Sequence, residues 1–104
     1  MSKINEYIKK NGLQAVTNEL FDELEVNNQG PMNGVFSNAK GLYIDPEDYS
    51  DDDPYTDTVY DMMNLPKGSP VKVMNFIMEV ALTADDTEVV AVDGNKILVR
   101  YWWD

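Results

Sequence analysis

The chain has no cysteine and no histidine. The first absence excludes a disulfide scaffold and a thiol nucleophile, and the two together exclude a Cys/His zinc site. Without histidine, any acid–base mechanism lacks the side chain that titrates nearest neutrality. Basic residues are scarce: eight Lys and Arg stand against 19 Asp and Glu, for a formal net charge of −11. A field of that sign repels DNA, RNA and anionic membranes, so direct binding to any of them is not expected. No hydrophobic run is long enough to span a bilayer, and the first residues lack the apolar stretch of a signal peptide. The phosphate-cradling patterns G-x-x-x-x-G-K-[ST] and G-x-G-x-x-G are missing. The serines (Ser2, Ser37, Ser50, Ser69) have no histidine to activate them.

What is present is one domain's worth of chain, residues 1–104, with 43% hydrophobic and 11% aromatic residues. That is enough for one modest core. The expected class is α+β: a small single domain of about four helices on a small antiparallel sheet that ends in a β-hairpin. The expected compartment is the cytoplasm.

The charge is concentrated in the middle of the chain. Residues 1–10 carry a net +2 and residues 67–104 a net −2, while residues 11–66 hold twelve acids against Lys40 alone. The densest part runs from Asp45 to Asp57, where Asp45, Glu47, Asp48, Asp51, Asp52, Asp53 and Asp57 place seven carboxylates in thirteen residues with no base. A solvated loop that keeps the protein soluble would account for this run, as would a surface that attracts a basic partner.

Local signals divide the chain as follows. Ser2 as N-cap, the Ile4/Tyr7/Ile8 stripe and Lys9-Lys10 predict a helix over 3–10 that stops at Asn11-Gly12. Leu13, Val16, Leu20 and Leu24 predict a second helix over 13–25, with acids on its outer face. This pair is not a DNA-binding helix–turn–helix, because the second helix has no Lys or Arg for phosphates. The short runs Val35-Phe36 and Leu42-Tyr43-Ile44 suggest a small hairpin. Asp53-Pro54 resembles an N-cap with proline at the first helical position, and Tyr55, Val59, Met62 and Met63 then predict a helix to Asn64. Ser69-Pro70 and three methionines favour a helix over 71–83, although alternation there also fits a strand. Glu88–Val92 and Asn95–Trp103 read as a hairpin around an Asp93-Gly94 type I′ turn. One of Trp102 and Trp103 should be buried and the other exposed, since neighbours on a strand face opposite ways.

Three kinds of chemistry deserve weighing. A calcium loop needs acids at its first, third and fifth positions, glycine at the sixth and glutamate at the twelfth. Starting at Asp48 places Asp53 sixth and Val59 twelfth, and starting at Asp51 places Met62 twelfth, so no metal site is expected. A carboxylate pair needs an environment that splits its pKa values, which a wet Pro/Ser/Asp loop does not provide. No enzyme activity and no cofactor is expected. The third case is geometric. On a helix over 54–64, Asp53, Asp57 and Asp61 would line one face about 5–6 Å apart, near the spacing of phosphates along one strand. Tyr43, Tyr49, Tyr55 and Tyr60 interleave with the acids, and tyrosine is enriched in interface hot spots. At least one of Tyr55 and Tyr60 should belong to the core.

In size, acidity and absence of catalytic motifs the chain resembles small phage or mobile-element inhibitors that imitate nucleic acid. It is also similar to immunity proteins that neutralise basic nuclease toxins. The resemblance is one of composition and rests on no motif. It implies a stoichiometric inhibitor whose partner is a basic nucleic-acid-binding protein: a restriction or CRISPR effector, a nuclease, a polymerase or a repair enzyme. The candidate phosphate surrogates are Glu19, Asp22, Glu23, Asp45, Glu47, Asp48, Asp51, Asp52, Asp53, Asp57 and Asp61, with Tyr49 and Tyr55 as packing anchors. The alternatives are an immunity protein or antitoxin, and a structural or adaptor protein whose acidity serves solubility alone. Oligomeric state is open, a dimer included.

Overall fold

In the computed structural model, which describes residues 2–48, 54–64 and 83–104, helix α1 (Lys3–Lys10) begins as its cap dictates. The Ser2 side chain accepts from the Asn5 amide at 3.1 Å, Ile4 is buried, and Gly12 closes the helix with φ +63°. A left-handed residue at that point favours glycine.

Between Leu13 and Glu25 the predicted single helix is replaced by three short elements. Strand β1 (Gln14–Ala15) comes first, then helix α2 (Asn18–Glu23), then strand β2 (Glu25–Val26). Thr17 supplies the cap that the periodicity concealed, accepting from the Leu20 amide at 3.2 Å. Strand β3 (Gly30–Pro31) leads into helix α3 (Met32–Val35), where half of a hairpin was expected. Strand β4 (Leu42–Ile44) pairs instead with β1 and with a strand later in the chain.

Residues 55–64 depart most from expectation. They form strands β5 (Tyr55–Thr56) and β6 (Thr58–Asn64), not a helix. Strand β6 lies inside the sheet, so both of its faces are covered. Apolar residues then fall on both faces (Val59 and Met63 on one, Tyr60 and Met62 on the other), and the alternation that marks a half-exposed strand is lost. Among the described residues there are three helices, fewer than the expected four. The helix expected over 71–83 lies outside the described residues apart from Thr83, which sits in a turn.

Strands β7 (Asp86–Asp93) and β8 (Lys96–Trp102) form the expected hairpin. Its turn is shifted by one residue. Asp93 pairs with Lys96, so Gly94 and Asn95 are the central residues, and only Gly94 has positive φ. That is the type II′ pattern, with glycine first.

The main sheet has five strands in the order β1-β4-β6-β8-β7, each antiparallel to its neighbours. A second, three-stranded sheet has the order β3-β2-β5, with β2 and β5 parallel. One face of the main sheet carries Val59, Ile97, Val99 and Tyr101 into the larger core, against Phe21 and Leu24 near α2 and Met32 and Phe36 near α3. The other face packs Tyr60 and Leu98 under Ile4, Tyr7 and Ile8 of α1. Trp103 is fully buried, as one of the two was expected to be, while Trp102 is half-buried and not exposed.

Candidate acidic interface

Helix α2 turns Phe21 inward and leaves Glu19, Asp22 and Glu23 exposed. Leu24 breaks the helix with extended angles, and the chain passes directly into β2. There the parallel register sets Glu25 beside Tyr55 and Val26 beside Thr56. Val26 and Thr56 are buried, so Glu25 and Tyr55 share the outer face of this small sheet. Main-chain bonds hold the join: the Glu25 amide donates to Pro54 and the Asn27 amide to Thr56, each at 2.9 Å. The Tyr55 hydroxyl donates to Asn27 Oδ1 while the ring stays 39% exposed.

Asp57 follows at once, half-buried. Its Oδ1 accepts from the Thr58 hydroxyl at 2.8 Å, and its carbonyl accepts from the Trp103 amide at 2.8 Å. A 3₁₀ turn (Pro46–Asp48) brings up the other acids, with Asp45 Oδ1 accepting from the Glu47 amide at 3.0 Å. Glu47 and Asp48 are exposed. Partial desolvation raises the Asp48 pKa above its ordinary value although the side chain stays exposed, and the nearby carboxylates of Asp57, Asp45 and Glu47 raise it further; Arg100 opposes them. Arg100 is already engaged, with an ion pair to Asp86 at 3.5 Å. Asp45, Glu47 and Asp57 therefore lie close enough to Asp48 to act on its charge, and Arg100, which opposes them, is paired with Asp86.

Asp61 is a correction. It was expected on an exposed acidic ladder, but it lies on β6 between Leu42 of β4 and Val99 of β8, and is only 7% exposed. Strand geometry puts it on the face of Val59 and Met63, toward the larger core. Burial pushes its pKa up to about 7. The ladder of Asp53, Asp57 and Asp61 does not form, because 55–64 is not helical. Tyr60 is buried, and Tyr55 is the member of that pair left at the surface. Tyr49, Asp51, Asp52 and Asp53 lie outside the described residues.

Glu25 belongs to this surface and was not among the nominated residues. Its signal was its place among the closely spaced acids Glu19, Asp22 and Glu23, but only the β2–β5 register shows what it stands beside. Among the described residues, no three carboxylates are placed to hold one metal ion, and no helix is long and apolar enough to cross a membrane. Comparison with protein-family models, curated proteins and solved structures finds no match for this chain.

Proposed function

We propose that the protein is a stoichiometric inhibitor, phage- or mobile-element-encoded and acting in the host cytoplasm, that sets an acidic face into the cationic nucleic-acid groove of a target protein. Glu19, Asp22, Glu23, Glu25, Asp45, Glu47, Asp48 and Asp57 stand in for phosphates. Tyr49, Asp51, Asp52 and Asp53 belong to the same acidic stretch of sequence, and Tyr55 is a packing anchor. The protein is a binder and performs no reaction.

The observation that carries this reading is the pairing of β2 with β5. It ties the exposed acids after Thr17 to Tyr55 and, two residues on, to Asp57 through main-chain hydrogen bonds. Charges fixed in this way lose little entropy on docking, unlike charges on a tether. Repulsion within the Asp45/Glu47/Asp48/Asp57 cluster also costs the free protein stability, and a basic groove removes that cost on binding.

The test is capture of host proteins on the immobilised chain, followed by competition of each recovered partner with duplex DNA. Binding should weaken steeply between about 50 and about 500 mM salt, as displacement of a polyanion requires. DNA and the protein should exclude one another from the target. Neutralising Glu47, Asp48 and Asp57 together should cost far more affinity than neutralising Asp85, Glu88 and Asp93. Retention in high salt, or a ternary complex with DNA, rejects the reading.

A further inference from the structure

The two edges of the main sheet differ in kind. Strand β1 offers two residues, whereas β7 offers eight, and among the described residues nothing pairs with its outer side. An edge of that length is a template for another strand unless it is covered or blunted. Two features point to what it would accept.

The first is a row of valines. Val89 pairs with Val99 and Val92 with Ile97, and both β8 partners are buried in the larger core. Cross-strand partners share a face, so Val89 and Val92 point the same way as that core, yet each is 51% exposed. Three positions apart, they share a face only because the register shifts between Val89 and Ala91, where a bulge takes in one extra residue. Among the described residues, the apolar face of the sheet thus runs on to its open edge with both valines half in solvent.

The second feature is charge. The same strand carries Asp86, Glu88 and Asp93, with Asp85 just before it. Lys96 and Arg100 stand across from these acids on β8, and Arg100 is the one that pairs with Asp86. The acids remain in excess. Antiparallel addition of a second copy would line this acidic strand against itself, between two chains of net charge −11 each. An added strand with lysine or arginine at alternate positions meets Glu88 and Asp93 favourably, and its other residues cover the valines.

We propose that β7 is a strand-addition site for an extended segment of a partner protein in which basic and apolar residues alternate. Main-chain bonds along the edge supply affinity, and alternate side chains select the partner. This surface adjoins the acidic cluster at Arg100, which pairs with Asp86 and acts on Asp48, but it uses a different strand, and either assignment can fail without the other.

The probe is a capped peptide of about ten residues alternating lysine with valine or threonine, long enough to pair the whole strand. The control has the same composition with its lysines grouped at one end. The alternating peptide should bind and the control should bind at least about tenfold more weakly. Amides of β7 should gain protection from hydrogen exchange when it is bound. Val89→Ser with Val92→Ser, both half in solvent, should weaken binding by about tenfold, and so should Glu88→Lys at an exposed position. Asp48→Asn with Asp57→Asn should change it by less than about threefold, since that cluster is not the docking surface. Equal binding of the two peptides, or equal sensitivity to the Asp48/Asp57 variant, would show attraction by net charge alone and overturn the proposal. So would self-association of the free protein that Val89→Ser/Val92→Ser abolishes, because the occupant would then be a second copy.

Discussion

Asp61 carries an ionisable group into the core. Its carboxyl sits in a strand interior at a pKa of about 7, with burial as the cause. In the unfolded chain the same group titrates near about 3.9. Below that value both states hold the proton and the residue does not affect stability. Between the two values the unfolded chain releases its proton while the folded chain keeps it, so stability falls as pH rises. Above about 7 the loss is complete. Asp61→Asn removes this titration. Its advantage over the natural protein should grow from near zero at about pH 4 to on the order of 1–3 kcal/mol at about pH 8. Urea unfolding across that range checks it, and a pH-independent difference would contradict it. Tyr101 is a related case. Its hydroxyl is buried and has no hydrogen-bond partner, and burial together with the Asp61 carboxylate pushes its pKa up. Its ring packs against Phe36 at 6.0 Å and Trp103 at 6.1 Å between centroids. Tyr101→Phe keeps those contacts and deletes the unpaired group, so it should be neutral or stabilising by up to about 1 kcal/mol. A loss beyond that in thermal or urea melts would reveal a bond made by the hydroxyl.

At the scale of elements, the approach of β4 to β6 depends on one glycine. Gly41 has φ +83°, its carbonyl accepts from the Met62 amide at 2.8 Å, and an added Cβ would stand 2.7 Å from the Met62 carbonyl oxygen. Gly41→Ala should therefore cost about 2–4 kcal/mol, combining left-handed strain with a backbone clash. Gly12→Ala, with φ +63° and open space, should cost only about 1 kcal/mol. Equal losses in denaturant titrations would mean that β4 shifts to relieve the contact. The same elements show what the sequence makes legible. Helix α1 and the β7–β8 hairpin each carry a complete local signature: a cap, a stripe and a stop for one, alternation around a glycine turn for the other. Strand β6 has no such signature. Asp53-Pro54 imitates a helix start, and Val59, Met62 and Met63 fall at helical spacing by coincidence. Asp61 reads as a solvent position when it is a buried one, so an acid that appeared to belong to the interface belongs to the core. The pairing of β2 with β5 joins residues thirty positions apart in parallel. No local pattern announces a contact of that range, yet it is what connects the two acidic segments.

Across the whole molecule, net charge of −11 opposes compaction, and the folded chain increases that repulsion where it gathers Asp45, Glu47, Asp48 and Asp57. If the cluster exists to meet a cationic groove, stability and binding should move in opposite directions when it is neutralised. Asp48→Asn is the simplest case. The pKa of this acid is raised in the folded state, by burial first and by three carboxylates next. Above its unfolded pKa the folded protein therefore bears a cost that the amide does not. Asp48 is exposed, so the gain at neutral pH should be a few tenths of a kcal/mol. Salt separates the two causes, because ions screen repulsion between exposed carboxylates and leave the desolvation penalty nearly intact. Raising salt to about 0.5 M should shrink the gain without abolishing it. The same substitution should weaken capture of the basic target, most visibly at low salt and through a slower association rate. A variant that loses stability and leaves capture unchanged would make Asp48 an ordinary surface acid, and would remove the cluster it anchors from the proposed docking face.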